Sequence, residues 1–345
     1  MLYVTTRGKN DVYTAARTLQ MERGTDGGFF VPFRMPVLEK EEVKALVNNK
    51  ATQNIADFLN MLFGTKLTDW DVEVSMGRFG LVTKDLGRKL IVAELWHNRD
   101  RKFDAFFREL GRQIHPDGDI FDKPADWVCM SIRIAVLFGI FTELMREGTA
   151  SVYDPVNVAV CSGDFSQVMA VWYARKMGLP IGDIIIGCNE NSAAWELISR
   201  GQMTTDSTVR STVTPDCDHV VPAGVERLVQ GACGYAEAMK LCWAMAEKQD
   251  YVPDEEAWEE IKHGMFAAVI SQVRLDIAIP SVYRSMGYVL DPYAALAYGA
   301  LSDYRSRTGD GSMTLLLSER SPLSEMDTMC RIMRVTPDEL KSRVN

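Results

Sequence analysis

The sequence predicts an α/β fold: a small N-terminal domain over residues 1–85, then an α/β domain over residues 86–345 in which a parallel sheet carries flanking helices. Three observations predict it. Short apolar runs at 156–161, 183–188 and 313–317 have the length and Val/Ile/Leu content of strands buried on both faces. Longer stretches with helical spacing separate them, the alternation that joins parallel strands through crossover helices. The 345 residues are 47% hydrophobic and 25% charged, the balance of a globular chain able to bury a core.

Taken in order, the N-terminal region opens with an extended segment and a turn at Thr25-Asp26-Gly27-Gly28. The strand-like run Phe29-Phe30-Val31 follows, and Pro32 ends it. Residues 39–49 and 54–63 repeat apolar positions at intervals of three and four, which predicts two amphipathic helices. The most apolar run, 127–141, is interrupted by Ser131 and Arg133 and is too short to cross a bilayer, so it reads as a buried core helix. A helix over 166–177, capped by Gly178, links the first two strands of the parallel sheet. The third strand is entered through Thr308-Gly309-Asp310-Gly311, and residues 235–249, 254–271 and 294–306 read as covering helices.

Several classes of partner are excluded by the same reading. A net charge of −9 without any Lys/Arg-rich stripe lacks the footprint that binding to a nucleic acid backbone requires. The opening MLYVTTRGKN has no apolar signal-peptide core, so a cytoplasmic protein with no membrane partner is expected. Seven widely spaced cysteines with no Cys-x-x-Cys pair indicate reduced, structural thiols rather than a zinc cage or a disulfide framework. The four histidines never fall at i, i+4, and no metal site is expected. Glu256, Glu259 and Glu260 read as solvated charges in and just beyond a first helical turn, not as a catalytic pair.

Six stretches, in the family's order along the chain, resemble one enzyme family. Tyr3-Val4-Thr5-Thr6-Arg7-Gly8, followed by Asp26-Gly27-Gly28-Phe29-Phe30-Val31-Pro32, is similar to the opening of the long threonine synthases. Lys176-Met177-Gly178-Leu179-Pro180-Ile181 leading to Asn189-Glu190-Asn191, then Val225-Glu226-Arg227-Leu228, then Gly287-Tyr288-Val289-Leu290-Asp291-Pro292, each resemble a segment of the same family. The resemblance implies the fold-type II scaffold for pyridoxal phosphate and a lyase reaction in threonine biosynthesis, from O-phosphohomoserine to threonine.

The family's cofactor anchors are altered here. Its Schiff-base lysine lies in Glu-Leu-Phe-His-Gly-Pro-Thr-x-Ala-Phe-Lys-Asp-Phe, and the matching stretch runs from Glu94, Leu95, Trp96 and His97 to Phe106 and places Asp104 at the lysine position. A carboxylate cannot form the imine. Lys102, two residues earlier, points to another helix face and serves only in an alternative, active reading. The family's phosphate cradle, Ser-Gly-Asn-Phe-Gly-Asn, corresponds to Ser162, Gly163, Asp164, Phe165, Ser166 and Gln167. Asp164 sets a negative charge against a phosphate, and Ser166 fills the space of a glycine. A structural role, with Asp164 capping the next helix or Ser162 and Asp164 shaping the turn, accounts for the same residues. The segment 110–126 is shorter than the strand-helix units the family carries there, so most of the cofactor subdomain is expected to be missing. Glu319 takes the position whose hydroxyl faces the cofactor's pyridine nitrogen in the family.

Together these departures predict a threonine-synthase-like protein without catalytic residues, a pseudoenzyme with no cofactor, acting as an interaction or regulatory protein. The alternatives are an active pyridoxal phosphate enzyme working through Lys102 and a sensor of a small, anionic molecule, with His97, Asn189, Glu190 and Glu319 as remnants of the pocket. Loss of the facing subdomain leaves Phe165, Met169 and Trp195 as candidates for an exposed face, predicting a homodimer or a complex with another protein.

Overall fold

The computed structural model describes residues 1–77, 81–97, 101, 103–114 and 127–344, the side chains of Asp104, Ala105 and Phe107 excepted. Lys102 and most of the 110–126 segment therefore lie outside the described residues, as does the side chain at the lysine position.

The chain begins with β1 (Leu2–Thr5), β2 (Gly8–Thr14), α1 (Ala15–Thr18), β3 (Phe30–Pro32), α2 (Lys40–Ala45), α3 (Ala51–Phe63) and α4 (Asp69–Met76). It continues with β4 (Val82–Asp85), β5 (Leu90–Glu94), α5 (Phe103–Ile114), α6 (Trp127–Arg146), β6 (Val156–Cys161), α7 (Ser166–Lys176), β7 (Ile181–Cys188) and α8 (Ala193–Arg200). Next come α9 (Val225–Cys233), α10 (Tyr235–Ala246), α11 (Glu255–Lys262), β8 (Met265–Val269), α12 (Gln272–Met286), α13 (Pro292–Thr308), β9 (Thr314–Ser318), α14 (Met326–Met333) and α15 (Pro337–Val344).

The three expected strands lie in one sheet, in the order β4-β5-β9-β6-β7-β8, with every pair parallel except β4 with β5. Successive residues alternate between its two faces. Leu315, Leu317, Val158, Val160, Ile184 and Ile186 join the core that also holds α3, α6 and α7. Leu316, Ala159 and Ile185 join a second core, under α12, α13 and α14. Helices thus cover both faces, which is why these strands read as continuous apolar runs. Gly187 on β7 has a specific function in that packing: a Cβ there would come within 2.2 Å of the Leu296 carbonyl oxygen, so only glycine lets β7 approach α13 this closely.

Three further strands were not anticipated. β4 is polar and sits at the sheet edge, so it has no apolar signature. Residues 254–271, expected as one helix, divide into α11 and β8 because Gly264, at φ +62°, breaks the chain between them. β5 is a five-residue, fully buried strand that pairs antiparallel with β4 across the turn at residues 86–89.

The N-terminal sheet, β2-β1-β3, shares the first core rather than enclosing one of its own. The Tyr3 hydroxyl donates to the Leu62 carbonyl at 2.8 Å, and its ring meets Trp127 edge-on at 5.8 Å. α6 is the wall they lean on. It is 20 residues long, not the shorter run expected, and is apolar enough by length and composition to cross a bilayer; 89% of its most apolar window is buried inside the protein, as a core helix requires. Phe165 and Met169, expected on an exposed face, are fully buried because the loop before α7 turns them into that core. Trp195 is partly buried, with the Arg200 guanidinium 4.5 Å from its ring.

Candidate functional site

The carboxyl ends of the parallel strands, where α/β sheets bind ligands, gather most of the sequence-predicted residues. β6 runs into the loop at 162–167, which is pinned by hydrogen bonds from Ser162 N to the Gly187 carbonyl and from Phe165 N to the Ser162 carbonyl, both 2.8 Å. Phe165 is held at φ +73°, unusual for a bulky residue. Its environment imposes this. The side chain is fully buried, Gly224 lies so close that a Cβ there would come within 2.8 Å of the Phe165 backbone, and Gly224 N donates to the Asp164 carbonyl at 2.9 Å.

This turn presents the N-terminus of α7, where unpaired N–H groups and the helix dipole attract an anion. The chain supplies its own. An Asp164 carboxylate oxygen accepts from Ser166 N at 3.0 Å and from the Ser166 hydroxyl. Asp164, expected as the N-cap, stands one residue before that position: Phe165 is the N-cap and makes no side-chain capping bond, and Asp164 instead accepts from Ser166, the first helical residue.

Across from this loop, Arg133 projects from the middle of α6. Its Nε and Nη2 donate to the two carboxylate oxygens of Glu319, each at 2.9 Å. Burial by itself would pull the guanidinium pKa down; Glu319, by charge and hydrogen bonding, and Asp164, by charge, outweigh it and hold the group above its ordinary value. Phe103 N donates to the Glu319 carbonyl at 2.9 Å, which ties the start of α5 to the same place. The space bounded by Leu95, Phe103, Arg133, Gln167, Leu317 and Glu319 is a residual cavity of only about 10 Å³. That is room for about one water molecule.

The other predicted residues do not converge on this space. His97 Nε2 lies 2.7 Å from one Glu94 oxygen, and the Tyr288 hydroxyl donates to the other at 2.8 Å. Asn189 is buried and donates to Thr212, Thr214 and Asp218 at 2.7–3.2 Å, so it holds a loop. Glu190 is exposed on a separate cleft. Nor do the thiols at the strand ends offer a nucleophile: burial pushes Cys188 up to about 12, and a hydrogen bond with Cys217, together with burial, raises Cys161. Among the described residues no cluster of three or more His, Cys, Asp or Glu could hold a metal ion.

Several shared sequence stretches are structural here. Arg7 forms two bonds to Glu226, at 3.1 and 3.0 Å, and the Thr6 hydroxyl also donates to Glu226, fastening the N-terminal sheet to α9. Asp291 caps α13 by accepting from Tyr293 N and Ala294 N at 2.9 and 3.1 Å, with Pro292 as the first helical residue. Sequence reasoning missed Arg133, taken only as an interruption of an apolar run. The available signal was the rule that an arginine inside an otherwise buried helix requires a charged partner.

No protein-family model matches the chain. It is 28% identical over 188 residues to threonine synthase-like 1 of Pongo abelii, covering 54% of this chain and 25% of that protein. To threonine synthase of Pseudomonas aeruginosa it is 29% identical over 163 residues, covering 46% and 34%. The matches thus span between a quarter and about a third of these relatives' length. Among solved structures, PLP-bound threonine synthase from Brucella melitensis aligns with a TM-score of 0.84 at 17% identity, covering 100% of both chains. Threonine synthase from yeast aligns with a TM-score of 0.84 at 16% identity, covering 99% of this chain and 93% of that one.

Proposed function

We propose that this chain, which is threonine-synthase-like in sequence and in fold, does not work with pyridoxal phosphate and acts in the cytoplasm as an interaction or regulatory protein. The observation that carries this reading is the Asp164 carboxylate seated at the N-terminus of α7, the place where a cofactor phosphate needs free N–H groups. A dianion brought there meets a negative charge and an occupied donor. The residues present do not fit the group in two further respects. Glu319, at the position that faces the family's pyridine nitrogen, has both carboxylate oxygens bonded by Arg133, and Asp104 stands at the position of the family's lysine.

The test is incubation of the purified chain with pyridoxal phosphate, followed by absorbance, borohydride reduction and peptide mapping. No adduct and no threonine from O-phosphohomoserine are expected. A borohydride-fixed adduct on Lys102, or on any single lysine, together with threonine formation, would establish an active enzyme instead. The regulatory reading also calls for association with a second copy or another protein, and light scattering at micromolar concentration, alone and with candidate partners, tests it.

A further inference from the structure

A second site lies on the other side of β7. The strand ends at Cys188, α8 begins at Ala193, and the long loop after α8 folds back over the turn between them. Asn191 grips that loop from both sides: its Nδ2 donates to the Arg210 carbonyl at 2.9 Å, and its Oδ1 accepts from Arg210 N at 2.8 Å. Asp218 joins Asn189, Asn191 and Thr212 beneath it, with bonds of 2.7–2.9 Å. The Arg210 backbone is therefore fixed, whereas its guanidinium has no hydrogen bond or ion pair among the described residues. The Glu190 carboxylate has none either. Glu190 and Arg210 are both among the residues that line one open cleft of about 480 Å³, within the usual range for small-molecule sites.

Two residues of opposite charge thus line one cleft without an ion pair between them. A ligand that carries an ammonium and a carboxylate satisfies both; a simple anion would meet Glu190 and Glu196, and a simple cation would meet Arg210. α8 adds a positive helix end, since its N-cap Ser192 makes no side-chain capping bond. Hydroxyls of Ser207 and Thr208 supply further polar contacts along the same wall.

We propose that this cleft binds a free α-amino acid, its carboxylate on Arg210 and the α8 N-terminus and its ammonium on Glu190. The inference rests on the cleft alone and is independent of the cofactor reading, since pyridoxal phosphate titration reports on Asp164 and amino-acid titration on Arg210.

The experiment is calorimetric titration of the full chain with each of the twenty standard L-amino acids at millimolar concentration, then with the N-acetyl and amide derivatives of the tightest binder. At least one amino acid should bind, each derivative should bind about tenfold or more weakly, and Arg210→Gln and Glu190→Gln should each lose about tenfold or more. Both variants should keep the unliganded melting temperature, because neither side chain bonds to the protein. The proposal is overturned if no standard amino acid binds, if a blocked derivative binds as tightly as its parent, or if either variant retains full affinity.

Discussion

Arg133 and Glu319, 186 positions apart in the chain, meet as a two-bond ion pair, Nε and Nη2 each 2.9 Å from a carboxylate oxygen, at the carboxyl end of the parallel sheet. The arginine side chain is 8% exposed and the glutamate 20%. That inequality sets what happens when the pair is broken. Glu319→Ala leaves a deeply buried guanidinium without its carboxylate and should cost about 3–5 kcal/mol. Arg133→Met leaves a carboxylate that can turn toward water and should cost less. The double variant should recover most of the loss, and urea unfolding of the three proteins checks the order.

Restoring the lysine alone, Asp104→Lys, should not restore threonine formation. Asp164 and Ser166 still occupy the helix N-terminus, and the Arg133–Glu319 pair still fills the neighbouring space. Groups that act as a unit do not return one at a time. An assay of threonine released from O-phosphohomoserine reads the result, and product from this single variant would mean that the pocket retains more of the family's machinery than proposed.

Asp291 gives the fold a pH dependence whose sign follows from its burial. Desolvation raises its carboxyl to about 6, against the lowering effects of bonds from Ala294 N, the Ser318 hydroxyl and Tyr293 N and of the Arg320 charge. A folded-state pKa above the unfolded one means that the native state holds the proton more tightly. The stabilisation is complete below about pH 4 and is lost as pH rises through about 6. Asp291→Asn keeps an oxygen for the two capping bonds and has no charge to bury. Relative to the parent protein it should gain roughly 2 kcal/mol between pH 4 and pH 7, read from urea unfolding across that range.

Glu226 is the anchor of the N-terminal sheet, accepting from Thr6 and twice from Arg7. Glu226→Ala should destabilise the protein by about 2–4 kcal/mol, because its 4% exposure leaves the cut bonds poorly replaced by water. Hydrogen exchange should show faster opening of β1, β2 and β3 while β6 and β7 keep their protection.

The sequence by itself determined the parallel sheet: Val156–Cys161 and the runs at 183–188 and 313–317 are apolar at most positions that face a helix layer, Asn157, Asp183 and Thr314 excepted, and burial on both faces leaves them few other conformations. It also determined the family likeness, carried by local segments such as Asp291-Pro292 and Glu226 whose contacts hold the scaffold together. β4 and β8 were not legible, since a polar edge strand and an Ala-containing strand after Gly264 gain their identity only from their neighbours. The state of the site was likewise a matter for tertiary structure. Asp164 could have faced solvent, a ligand or its own helix, and the packing of Phe165 against Gly224 turned it toward the helix. Arg133 and Glu319, or Glu190 and Arg210, carry no mark of their relationship in the sequence. Whether two distant charges pair, or line one cleft unpaired, depends on where folding places them and on how much water it leaves between them.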